Sequence, residues 1–294
     1  MFMLELFVRG TAIALAGLTL APLAGRRSPA LRHLILAIGF GWLALLPLQG
    51  VAGPRWRPAV LPAAQLGSPG GNEVVWDLAA VARAKTLVLD QADGAPGTAA
   101  FAARSIPVGS VLAGLAAAGT LLLLGLRGVG MWRVRRLIGR GRTLDAGDPV
   151  SRMAAHAAHT VGLAKPIPIV ETAKCAAPFA AGIARPVIVI PAEFRTWPAA
   201  RREAVLLHEA AHVARCDPWW RALGEVALAV HWWNPVVRFA VRAGVTASEL
   251  AADDQVVAAG VAPERYADDL VGLSRTLRGR PLIAAPVLHL SRSD

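Results

Sequence analysis

Charged side chains are scarce in this 294-residue chain, at 17% of positions against 55% hydrophobic ones, and the mean hydropathy is +0.47. That shortage excludes the composition of an ordinary soluble globular protein and makes membrane insertion the leading class. Cysteine is nearly absent. Cys175 and Cys216 stand far apart with no Cys-x-x-Cys spacing, which argues against a disulfide framework or a cysteine zinc site, so both are expected to be reduced and buried. The N-terminus, Met1-Phe2-Met3-Leu4-Glu5, lacks the positive residues of a secretory leader, so the first apolar run is read as a retained span. No internal repeat is evident. Acidic residues are outnumbered by basic ones, 20 to 31, for a formal charge of +11.

That excess charge lies beside the apolar runs. Three of these are predicted to span a bilayer, at about 4–23, 34–51 and 106–126, the last long enough alone because about 20 apolar residues cross the hydrocarbon core. Arg26, Arg27 and Arg32 follow the first run, and Arg127, Arg133, Arg135, Arg136, Arg140 and Arg142 follow the third. By the positive-inside rule both loops face the cytoplasm, which leaves the N-terminus and the Pro- and Gly-rich loop 52–105 outside. One helix is predicted in that loop, from Asn72 to near Asp90. The second arginine group has only Trp132 interleaved and stands where a stop-transfer cluster should, so direct nucleic-acid binding is not expected.

The domain reading is a three-helix membrane domain over 1–126, a cytoplasmic α+β domain over 127–280 and a short tail over 281–294. In the second part, Asp148 or Ser151 caps a helix to about Leu163. Ile167–Val170 and Val187–Ile190 read as proline-bounded strands, and Ala199–Arg215 reads as a helix. The stretch from Trp219-Trp220 to His231-Trp232-Trp233 is expected to lie against the bilayer without crossing it, since Trp favours the interface and Arg221 and Glu225 would be costly at its centre. His33, His231 and His289 are likewise expected at the interface, and His156 and His159 on a polar helix face.

Chemistry concentrates in His208-Glu209-Ala210-Ala211-His212. Histidines at i and i+4 stand on one helix face, so both rings can reach one Zn2+ ion. Glu209 then serves as general base toward the water that zinc activates, which is the chemistry of peptide-bond hydrolysis. A catalytic zinc takes a third protein ligand and keeps one open position. The metzincin extension is missing, because Arg215 and Pro218 occupy its glycine and histidine positions. The third ligand is therefore sought downstream, and Glu249 in Glu249-Leu250-Ala251-Ala252-Asp253 is the best candidate. Asp253, one turn on, is expected to accept the free ring N–H of a ligating histidine.

The order of three spans, the strand in Arg185-Pro186-Val187-Ile188-Val189-Ile190-Pro191, HEAAH, Asp217, Asn234-Pro235 and ELAAD resembles the BlaR/MecR-type membrane metallopeptidases over most of residues 1–277. The resemblance implies a zincin-like α+β domain facing the cytoplasm, zinc on His208, His212 and Glu249, and Glu209 as the catalytic glutamate. Its best-known members sense β-lactams through an external domain after a fourth span and trigger cleavage that relieves a transcriptional repressor. Here the chain ends at Asp294 after the short apolar piece Pro281–Leu290, so neither that span nor that sensor is expected. In zincins a strand before the catalytic helix pairs with extended substrate, which nominates Val187, Ile188, Val189 and Ile190, with prolines at both ends suiting an edge.

The expected function is zinc-dependent endoproteolysis at a cell membrane, acting on a repressor or another membrane-proximal protein. Two alternatives carry the same residues: a quality-control or maturation protease, and a zinc-binding signalling scaffold that does not cut. Glu209 speaks against the scaffold, which needs no general base. Substrate, inducing signal and oligomeric state are not legible.

Overall fold

The computed structural model describes residues 2–24, 28–52 and 108–277. Arg26, Arg27, the loop 52–105 beyond Ala52 with the helix expected from Asn72, and the tail 281–294 lie outside them. The compact unit considered below comprises residues up to Gly53 and from Leu112 onward.

Among the described residues, three helices are long and apolar enough to cross a membrane: α1 (Phe2–Leu23), α2 (Pro29–Ala52) and α3 (Val108–Arg140). Helix α3 does not stop at its apolar stretch. It runs on through the arginine group, turning mostly exposed side chains outward, with Ala116 and Gly130 its buried residues.

A four-stranded sheet follows, made of β1 (Arg142–Thr143), β2 (Ile169–Thr172), β3 (Phe179–Ala181) and β4 (Val187–Pro191) in the order β1-β2-β4-β3. Strand β4 is parallel to β2 and antiparallel to β3. This corrects the expectation that 187–190 forms a free edge. Ile188, Val189 and Ile190 are fully buried because β4 is paired on both sides, and its flanking prolines mark strand ends instead of an open side. The edge beside β4 belongs to β3.

Helix α4 (Pro149–Thr160) starts where Asp148 accepts the Val150 N–H at 2.8 Å with Pro149 in the first turn, the usual device for satisfying unpaired amides. Helix α5 (Ala199–Ala214) carries the HEAAH run. Its Ala204, Leu206, Leu207 and Ala210 join Val150, Ala154, Ile169, Ile188, Ile190 and Phe194 in one core. At about 1.5–3 kcal/mol per buried large apolar side chain, this core fixes the azimuth of α5 and leaves the histidines on the opposite side.

The chain then reverses sharply. Cys216, an exposed residue with φ 58°, ends α5 in the left-handed conformation, and α6 (Asp217–Val230) begins at the next residue. Cys216 is therefore not buried as expected: the turn puts its side chain outside. Helices α6 and α7 (Pro235–Ala258) form a hairpin that packs on α1 and α2 around a second core of Ala14, Leu36, Phe40, Leu43, Ala227, Val237 and Val241. Phe40 fills a notch between the two arms. A Cβ on Gly244 would come within 2.6 Å of its ring, so only glycine permits this approach.

The hairpin packs against two of the apolar helices, a contact the tryptophans did not suggest. At its tip His231 Nε2 contacts the Leu43 carbonyl at 3.0 Å and Asn234 Nδ2 donates to Thr11 Oγ1 at 2.9 Å. Leu43 is 14 residues into α2, about 21 Å at 1.5 Å per residue, so the hairpin packs lengthwise along α1 and α2. These two contacts give the tip polar partners inside α2 and α1, and Arg127 pairs with Glu225. Helix α8 (Pro263–Leu277) closes the described chain against α5.

Candidate metal centre

His208 and His212, one turn apart on α5, bring their Nε2 atoms to 3.1 Å from each other. Helix α7 brings Glu249 Oε2 to 3.5 Å from the first and 3.7 Å from the second. These three atoms form the one group among the described residues in which histidine, cysteine or acidic side chains converge as metal ligands do. Tetrahedral zinc with bonds of about 2.1 Å spaces its ligand atoms at about 3.4 Å, close to all three separations. The donor set fits zinc.

Each outward ring nitrogen is occupied, which leaves Nε2 as the free ligand atom. His212 Nδ1 donates to Asp217 Oδ2 at 2.6 Å, and His208 Nδ1 lies 2.9 Å from Tyr266 Oη and 3.1 Å from Asp253 Oδ1. The Tyr266 hydroxyl in turn donates to Asp253 at 2.7 Å, so it accepts from His208. Asp217 and Asp253 are thus placed to fix the tautomers and aim the rings.

Asp217 is 1% exposed and multiply bonded. Ser248 Oγ donates to it at 2.8 Å and Arg215 at 2.5 Å, while Arg215 also donates to the Ser248 carbonyl and to Gln255 on α7. The abrupt turn at Cys216 makes this possible, since it swings Asp217 back onto a histidine only five residues earlier. Arg221 on α6 pairs with Glu249 and holds the ligand carboxylate on its free oxygen.

The electrostatics follow from these contacts. Burial opposes the charge on His208, but hydrogen bonds to Asp253 and Glu249 and the charge of Glu209 outweigh it and push its pKa up to about 10. His212 is raised in the same way by Asp217 and Glu249. Burial would raise Glu249 and Asp217, yet the histidines and their arginine neighbours hold both carboxyls well below the usual carboxylate range. The centre is a compact alternation of bases and acids, primed to exchange protons for a dication.

Glu209 is 9% exposed and points to the sheet, where its Oε2 accepts the Ala180 N–H of β3 at 2.6 Å. Strand β3 also lines a cavity of about 530 Å³, walled by Leu124 and Met131 of α3 and by Pro218, Ala222 and Val226 of α6. The structure therefore brings His208, Glu209, His212, Glu249 and Asp253 together and leaves Val187–Ile190 inside the sheet. Residue-type reasoning missed Arg215, Arg221, Ser248, Tyr266 and His33. It considered Asp217 as a family element and, with Asp254, as a fallback third ligand, not as the partner of His212 that its spacing after the second histidine could have signalled. His156 and His159 lie on α4, away from the centre.

A family model described as BlaR1 peptidase M56 matches residues 75–289. No curated protein matches the chain.

Proposed function

The chain belongs to the BlaR1 peptidase M56 family, and from that premise we propose that it is an integral membrane zinc endopeptidase whose catalytic centre faces the cytoplasm. The family makes it a membrane-associated peptidase, and three apolar helices are there to insert. The observation that carries the zinc reading is the convergence of His208 Nε2, His212 Nε2 and Glu249 Oε2 at zinc-ligand spacing.

Zinc held there would polarise the scissile carbonyl and lower the pKa of an attacking water to about 7. The chain's own residues supply the rest. Glu209, beside the first histidine and 2.6 Å from the Ala180 amide, accepts a proton from the water and passes it to the leaving amine. Asp217 and Asp253 keep the rings aimed, and Arg221 keeps Glu249 ionised. Strand β3 offers the unpaired side on which an extended peptide adds as a further strand, with side chains directed to the apolar cavity.

Arginines after the first and third spans support an external N-terminus and an internal centre. Such a centre, at the inner end of α3, is suited to regulated cleavage of a transcriptional repressor or another membrane-proximal protein. The test compares cells carrying the parent with cells carrying Glu209→Gln by mass spectrometry of protein termini. A substrate that stays uncut only in the variant is the expected result. Identical termini in both, with zinc bound, overturn the endopeptidase reading.

A further inference from the structure

The metal centre is tied to the membrane half of the molecule by a residue that no motif marks. His33 lies in the first turns of α2, within a span, and is 5% exposed. Its Nδ1 is 3.2 Å from the carbonyl of Gly244 on α7, and its Nε2 is 3.2 Å from Asp217 Oδ1. Both neighbours are acceptors, and the ring stands between them, with Nδ1 in hydrogen-bond contact with the Gly244 carbonyl and Nε2 the polar atom facing Asp217 Oδ1. Asp217 uses its other oxygen on His212 Nδ1 and on Ser248, and Gly244 precedes the ligand Glu249 by little more than one turn of the same helix.

Building on the zinc reading above, we propose that His33 is a positioning residue for the metal centre: it joins the carboxylate that aims His212 to the main chain of the helix that carries Glu249. The placement explains why a buried polar ring stands in an otherwise apolar span. A leucine there would replace the polar ring edge 3.2 Å from Asp217 Oδ1 with apolar surface, and a buried carboxylate facing apolar surface is costly. Phe40, seven residues on, sits between Gly224 and Gly244 and fixes the same interface by shape. Shape and polarity therefore act at two separate points of one helix face, and only the polar point reaches the metal ligands.

The experiment uses the full chain purified in detergent micelles, with zinc affinity read by chelator competition and ligand geometry read from the visible spectrum of the cobalt-substituted protein. His33→Leu is expected to weaken zinc binding about tenfold and to shift the cobalt bands, because an unsupported Asp217 lets the His212 ring turn. Phe40→Leu, which loosens the same interface without touching Asp217, is expected to lower the melting temperature and leave both readouts at parental values. His33→Gln, which keeps amide donors at that position, is expected to recover part of the affinity. In a double-mutant cycle, His33→Leu added to Asp217→Asn should cost little more than Asp217→Asn alone, since the two act through one path.

Parental affinity and spectrum in His33→Leu overturn the proposal. So does an equal loss in Phe40→Leu, which would make the effect general packing, or full additivity in the cycle. A parent that binds no zinc overturns the endopeptidase reading itself, and the inference with it. That outcome is distinct from a zinc-loaded parent indifferent to His33.

Discussion

The two halves of the centre rest on different cores. Helix α5, with His208, Glu209 and His212, is seated on the sheet and α4 by Leu206, Phe194 and Ile190, whereas α7, with Glu249, is seated on α1 and α2 by Val237, Val241 and Phe40. The first core is built of large aliphatics from strands and helices far apart in sequence. The second is built of helices packing through Leu36, Leu43, Leu228 and small alanines, with Phe40 wedged against Gly224 and Gly244. The candidate ligands from both meet at the seam, where Asp217, Arg215, Tyr266 and His33 cross from one side to the other. Such a division would separate the proposed reaction from its support: the proposed base belongs wholly to the first half, while the proposed third ligand comes from the half packed on α1 and α2.

Breaking the chemistry without touching the seam gives the largest effect. Glu209→Gln should cut turnover by about two to four powers of ten with zinc content unchanged, because the amide cannot take a proton. Turnover of a protein substrate and metal analysis on one preparation check it, and a parental rate refutes the role. Breaking either core comes next. Phe194→Ala should cost about 3–5 kcal/mol through the cavity left in the first core. It should displace α5 and all three of its functional side chains together, as read by denaturant unfolding and cobalt spectra.

Breaking the seam itself is smaller. Asp217→Asn and Asp253→Asn should each weaken zinc binding by roughly tenfold to a hundredfold, and activity should fall in step. If either leaves affinity untouched, the seam does not aim the rings. The same centre predicts opposite trends with pH. Without metal, the raised His208 stabilises the fold fully below its ordinary value of 6.5, and that contribution is lost as pH rises through about 10. Zinc must displace this proton, so apparent zinc affinity should climb about tenfold per pH unit over the same window. Melting temperature of the metal-free protein and chelator competition, both from pH 6.5 to 10, should therefore diverge. The smallest effect is at the turn joining the halves. Cys216→Gly should gain about 1 kcal/mol or less by relieving a left-handed non-glycine residue, with zinc affinity unchanged.

Those contrasts also mark what a sequence can carry. The HEAAH pair and the Glu249–Asp253 pair were legible because helical period alone puts such residues on one face. The strand at Val187–Pro191 was legible from its β-branched run, but its place inside the sheet was not. Its edge partner, Phe179–Ala181, is three residues long with two alanines and carries no strand signal. The tryptophan pairs carried no sign that this stretch packs on α1 and α2, since the partners of His231 and Asn234 lie about 190 and 220 residues upstream. Tyr266 and His33 were invisible for the same reason. A hydroxyl or a ring nitrogen becomes a tautomer switch only when the fold brings it against a histidine or its carboxylate, and no local pattern encodes that encounter.

A zinc ion held by His208, His212 and Glu249 from both sides of the seam would have a mechanical duty beside its proposed chemical one. It would act as a cross-link, stapling the sheet-borne helix to the helix packed on α1 and α2. By mass action the loaded form gains about 2.7 kcal/mol at a hundredfold excess over the dissociation constant, and that gain resists whatever would draw the two halves apart. Proteolytic nicking at the α5–α6 turn should therefore slow when zinc is supplied and quicken when it is chelated, a readout of cohesion that needs no substrate at all.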